Sequence, residues 1–283
     1  MVKKIFTIAI YSIRQWKADL RILLLFLCMI VFIWNDLSVV SGFASRMDMN
    51  TNPIYFPFYS SDIIKQLILL AGIIFLFSNV PFINKNQPYV IIRSKRLFWV
   101  LGQILYIIMA SGIYYIILIG ASIIMLLPNI TFATDGWGKI INTLAQTNTE
   151  ELIELQFGIS ERIVTSYSPF QALGLSFLLN WGMASFMGLL MFAFSLKFNR
   201  KIGLFAGSML LFFDLLVINA FPFKFYCLSP VTFSRLAMLD PTGVSMLPKL
   251  TYPFIFFGIG IILLSVISVV SIRNKPIKIT PET

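Results

Sequence analysis

An all-α fold crossing a membrane six times is the architecture the sequence predicts. Three observations predict it: a strongly apolar composition, six long apolar runs, and basic residues gathered beside alternate runs. Hydrophobic residues make up 58% of the 283 residues and charged residues only 12%, with a mean hydropathy of +0.86. A soluble domain carries about twice that share of charge (roughly 25%) and could not bury so much apolar surface. A spanning helix takes about 20 apolar residues, so the length accommodates six or seven crossings in one membrane domain.

The chain begins with an amphipathic stretch, residues 1–21. Lys3 and Lys4 followed by apolar residues 5–13 resemble the start of a signal peptide, but Arg14, Lys17 and Arg21 interrupt the run and no small-residue cleavage site follows. Ala9, Ile13, Trp16 and Leu20 recur at helical spacing on one side, with the three basic residues on another. That pattern predicts a helix lying in the interface.

The apolar runs follow at 22–40, 63–83, 101–127, 170–196, 202–221 and 252–272, together forming a membrane domain over 22–272. They do not alternate apolar with polar residues as barrel strands do, so helices must satisfy their backbone groups. Pro128, Pro169, Pro222 and Pro253 mark the run ends, where proline's missing donor does least harm.

Basic residues fix the expected orientation. Fifteen of the 22 lie in 1–21, in the connections 84–100 and 197–201, and in the tail 273–283. Of the other seven, six share the intervening loops 41–62, 128–169 and 222–251 with most of the acids, and Lys65 stands at the same side, just inside the run 63–83. The positive-inside rule then places both termini in the cytoplasm. The net charge of +10 is accounted for by these membrane-flanking positions, which favour a lipid surface over nucleic acid. Cys28 and Cys227 fall at different depths, so neither a disulfide nor a thiolate metal site is expected. The outer loop 128–169 holds an acidic, helix-like stretch at 150–162, and 222–250 is an apolar segment broken by Pro230, Pro241 and Pro248, as expected of short helices dipping into the outer leaflet.

Catalytic chemistry is thinly supplied. The sequence has no histidine, which removes histidine-based triads, zinc sites and proton relays. It has no GxxxxGK phosphate loop and no GxSxG elbow, so no nucleotide-hydrolysing or serine-hydrolase motif is expected. Two carboxylates fall within the apolar runs. Asp36, beside Trp34 and Asn35, reads as an ordinary membrane-water boundary residue. Asp214 lies inside the fifth run, where a charge costs about 2.5 to 3.5 kcal/mol, so it must face protein or water. It is either a hydrogen-bond partner or protonated, or else a residue of a substrate path or of helix registry. Gly182, Ser185, Gly188, Gly203 and Gly207 permit close helix approach, within one chain or between subunits.

After the second run, residues 84–99 read NKNQPYVIIRSKRLFW, a proline followed by a short helix-like stretch with a basic end. Six spans, the amphipathic leader, this connection and the apolar loop before the last span together resemble the permease subunits of type-2 ATP-binding-cassette (ABC) exporters, particularly small Gram-positive ones. The resemblance implies that Tyr89, Ile91, Ile92, Arg93, Lys95 and Arg96 belong to a coupling helix seated on an ATPase, that 1–21 is the interfacial connecting helix, and that 222–250 is a re-entrant outer element. It also implies two permease chains, identical or homologous, working with two separate ABC ATPase subunits. ATP and magnesium would be bound by those subunits, this chain would hold no cofactor, and the cell membrane of a bacterium would be the site. The cargo class would be a hydrophobic or amphipathic peptide, drug or lipid. The long 128–169 loop departs from many such permeases. Two other readings stay open: an ion-coupled secondary transporter, which would want more intramembrane ionisable residues than Asp214, and a non-transporting scaffold or immunity factor.

Overall fold

A computed structural model describes residues 2–81, 96–127, 136–146, 155–241, 243 and 247–273. The expected connection around Tyr89, Ile91, Ile92, Arg93 and Lys95, the acids Glu150, Glu151 and Glu154, and the tail beyond 273 lie outside the described residues.

Helix α1 (Val2–Arg14) buries Ile8, Ala9 and Ser12, and the 3₁₀ turn Gln15–Ala18 that follows buries Trp16. Leu20, expected on the same face, is 73% exposed. The tightened turn and the extended Asp19 break the helical phase, and Leu20 becomes the first residue of α2 (Leu20–Arg46), with the Asp19 carboxylate accepting from Arg21 N at 3.1 Å. A one-turn helix, α3 (Phe56–Tyr59), precedes α4 (Ile63–Leu76), which Asp62 caps by accepting from Lys65 N at 3.0 Å. Next come α5 (Arg96–Ile124), the short helices α6 (Gly138–Gln146) and α7 (Glu161–Ser166), and α8 (Pro169–Lys197). Ser168 and Gln171 close a capping box at the start of α8. Helix α9 (Arg200–Ala220), capped by Asn199, and α10 (Thr251–Arg273) complete the bundle. Among the described residues the sole β pairing is an isolated bridge, Asp240 with Lys249.

Five helices, α2, α5, α8, α9 and α10, are long and apolar enough to cross a membrane, which makes this an all-α multi-pass membrane protein. The expected second span differs. Helix α4 has 14 residues and passes into turns before Pro81, as a helix does when it approaches a proline. Its two ends nevertheless match α2 in antiparallel register: Lys65 pairs with Asp36 at one end and Asn79 accepts from Arg21 at the other. At 1.5 Å per residue α2 covers about 22 Å between these contacts, and α4 covers about 16 Å of that distance before its closing turns carry the chain to Asn79.

Helix α8 is the axis of the bundle, packing on α10, α9, α5, α4 and α3. A helix apolar all round belongs inside, and its small residues admit neighbours. A Cβ on Gly188 would lie 2.7 Å from both Ile107 and Phe77, one on Gly182 3.1 Å from Phe257, and one on Gly203 2.6 Å from the Met191 carbonyl. These close approaches fall within the one chain. On the outside, Leu23, Leu27 and Val31 of α2, Phe205, Met209 and Phe212 of α9, and Ile255, Ile259 and Ile262 of α10 are exposed in helical stripes suited to lipid.

The segments at 51–61, 136–146, 155–168, 222–241 and 247–250 gather at one end as an aromatic cap, with Phe58 on Trp137 (ring centroids 4.8 Å) and Tyr59 on Phe157 (5.6 Å). One expectation changes here, and the short helices expected in 222–250 take the 3₁₀ form. In the acidic stretch 150–162, residues 155–160 are not helical, and a helix starts only at Glu161. Segment 222–250 forms no α-helix among its described residues but three 3₁₀ turns, Phe223–Leu228, Thr232–Ser234 and Leu236–Met238. Pro222 and Pro230 bound the first turn, and each proline removes a ladder donor that a longer helix would need.

Candidate functional site

Both carboxylates that the sequence places within apolar runs are buried and ion-paired. Asp36 sits two-thirds of the way along α2 and is 2% exposed. Lys65 Nζ, from the first turn of α4, lies 2.9 Å from its Oδ1 and 2.8 Å from its Oδ2, a partner the sequence reading did not assign. Beside the pair, burial and then the Asp36 charge push the Tyr59 phenol's pKa well up, which keeps it neutral.

Asp214 lies six residues from the cap end of α9, about 9 Å along the axis. Its partners come from the 3₁₀ turns of the cap. Arg235 Nη2 donates to Oδ2 at 2.6 Å, and the Ser229 and Thr232 hydroxyls donate to Oδ1 at 2.7 and 2.6 Å. Asp214 and Arg235 are both 0% exposed. Burial lowers the Arg235 pKa and the Asp214 charge opposes it; an arginine stays protonated under such a shift. Two further Arg235 nitrogens, Nε and Nη1, find no acceptor among the described residues.

The two pairs are joined by sequence neighbours. Gln66, next to Lys65, donates to the hydroxyl of Ser234, next to Arg235, at 2.5 Å. One polar chain therefore runs from α2 through α4 and the cap to α9, and it fixes the cap to three helices at once. Sequence reasoning singled out Asp214 but missed Lys65, Gln66, Ser234 and Arg235. The available signal was charge balance: two carboxylates in apolar runs require cations, and Lys65 and Arg235 stand close to apolar segments.

A cleft of about 1070 Å³ opens in the cap, lined by polar Asp62, Glu161 and Arg162 and apolar Leu144, Phe223 and Met238. At the opposite end of the bundle, Arg96 is the first residue of α5, and α1 packs along that helix. A Cβ on Gly102 of α5 would lie 2.6 Å from Ile8, and Trp16 Nε1 donates to the Tyr106 hydroxyl at 2.9 Å. The two cysteines are free, and among the described residues no group of three or more metal-ligating side chains gathers. Searches among protein-family models, curated proteins and solved structures find no match to this chain.

Proposed function

We propose that this chain is the transmembrane subunit of an ATP-driven exporter of the type-2 ABC kind, crossing the bacterial cytoplasmic membrane six times with both termini inside. In this reading α4 is the short second crossing. Two such chains form the path for a hydrophobic or amphipathic cargo, and separate ATPase subunits hydrolyse ATP with magnesium.

The observation that carries the proposal is the clasp between α1 and α5. The basic connection 84–96 leads directly into α5, and the amphipathic leader is locked to the first turns of that helix through Gly102, Ile8, Trp16 and Tyr106. A push delivered at the connection moves the interfacial helix and a spanning helix together. Tyr89, Ile91, Ile92, Arg93, Lys95 and Arg96 are the proposed contacts with the ATPase. The polar chain through Asp214 and Arg235 is the proposed latch that holds the cap on the helices while they move, and the mixed lining of the cap cleft suits an amphipathic cargo.

Isolation of the tagged chain from its native membrane in mild detergent tests this reading. A polypeptide carrying a GxxxxGK phosphate loop is expected to co-purify in stoichiometric amount. Recovery of the chain without any nucleotide-binding subunit would favour the scaffold reading instead.

A further inference from the structure

A second polar cluster lies at the end of the bundle away from the cap. Arg21 Nη1 and Arg200 Nη2 both donate to a single acceptor, the Asn79 side-chain oxygen, at 2.8 and 2.7 Å. Arg200 Nε also donates to the Ser78 carbonyl at 2.8 Å, and the Asp19 carboxylate stands 3.4 Å from Arg21 Nε. Two guanidiniums are thus drawn onto one neutral amide, with one carboxylate beside Arg21. Both arginines are exposed and lie in the first turns of α2 and α9, where the positive end of a helix makes a cation less favourable. Among the described residues this cluster holds two guanidinium charges against one carboxylate. Each fork also keeps N–H donors beyond these bonds, in the geometry that grips phosphate oxygens.

Beside the arginines is a cleft of about 340 Å³, lined by Gln15, Trp16, Asp19, Arg21, Asn79 and Tyr106. Its depth in the membrane follows from the helices. Arg21 is the second residue of α2 and Arg200 the first of α9, so both stand where spanning segments leave the hydrocarbon and meet headgroups. The amphipathic α1 ends at this level, and exposed Arg14, Lys17 and Lys201 add positive charge nearby.

We propose that Arg21, Arg200 and Asn79 seat the phosphate of an anionic phospholipid headgroup. The bound lipid neutralises the paired arginines and ties α2, α9 and the end of α4 to the membrane boundary. Basic pockets between spanning helices at this depth are suited to such headgroups.

The test measures lipid retained by the purified full chain after exchange into nanodiscs of phosphatidylcholine with phosphatidylglycerol. Wild type is expected to retain phosphatidylglycerol preferentially. The double variant Arg21→Gln/Arg200→Gln is expected to lose that preference by about 30-fold, two basic residues' worth of surface attraction. Asn79→Asp gives a second route that keeps both arginines and the local shape: a built-in carboxylate replaces the lipid phosphate, and the preference should fall to a similar degree. Arg46→Gln/Lys139→Gln, two exposed basic residues at the cap end, should leave it unchanged. Three outcomes would overturn the proposal: retention unaffected by Asn79→Asp, an equal loss in the cap-end control, or displacement of the lipid by millimolar inorganic phosphate, which would make the seat one for a free anion.

Discussion

Replacing Arg235 with methionine is expected to destabilise the protein by about 3 to 5 kcal/mol, because it strands the Asp214 carboxylate in a site with no exposure to solvent. Ser229 and Thr232 would still donate to Oδ1, but Oδ2 would lose its 2.6 Å partner along with the charge that balances it. Asp214→Leu should cost a similar amount from the other side, by leaving a buried guanidinium without an anion. Asp214→Asn should fall between wild type and these two, since the amide keeps an acceptor for the hydroxyls yet cannot neutralise Arg235. The double variant Asp214→Leu/Arg235→Met is expected to recover much of the loss, because a neutral apolar pair removes both desolvation penalties together. Reversible unfolding in mixed micelles, read as a double-mutant cycle, gives the coupling. Single variants each within about 0.5 kcal/mol of wild type would mean that the pair contributes nothing to holding the cap.

The second large effect is functional. Ile91→Asp/Ile92→Asp is expected to leave insertion and yield intact while abolishing both co-purification with the ATPase and coupled hydrolysis. The basic residues Arg93, Lys95 and Arg96 remain in the variant, so the charge signal that sets topology is untouched. What disappears is the apolar surface proposed to seat in a groove of the partner, and two charges buried there would each oppose docking strongly. Labelling of single cysteines placed in 84–96 and in 150–161 checks that the topology is unchanged. A variant that inserts normally, retains its ATPase and hydrolyses at the wild-type rate would show that 84–96 is an ordinary membrane-edge loop.

The helices were legible wherever composition decides them. Residues 22–40, 101–127, 170–196, 202–221 and 252–272 each fall within or closely along an observed long helix, because long apolar runs have little alternative to a helix in lipid. Phase was less legible. Leu20 continues the apolar periodicity of Ala9, Ile13 and Trp16, yet capping by Asp19 outweighs that pattern and turns the residue outward. Helix α4 ends at Leu76 although apolar residues continue, because turn geometry ahead of Pro81 prevails over hydropathy. In the site, Asp214 could be singled out because a carboxylate among phenylalanines and leucines has an evident cost. Charge balance asks for a cationic partner without saying which, and Arg235 stands 21 residues away among prolines. The partner of Asp36 was hidden for a related reason. Trp34 and Asn35 beside it are exposed on the outer face of α2, while Asp36 points inward to Lys65. Side chains one and two positions apart on a helix face different ways, and residue type does not say which way is in.

ATP hydrolysis by the co-purifying ATPase, measured in the same proteoliposomes with and without this chain, tests the proposed function most directly. The account predicts a several-fold rate increase that requires the chain and is lost in Ile91→Asp/Ile92→Asp. Hydrolysis at one rate in the presence and absence of the chain would contradict it.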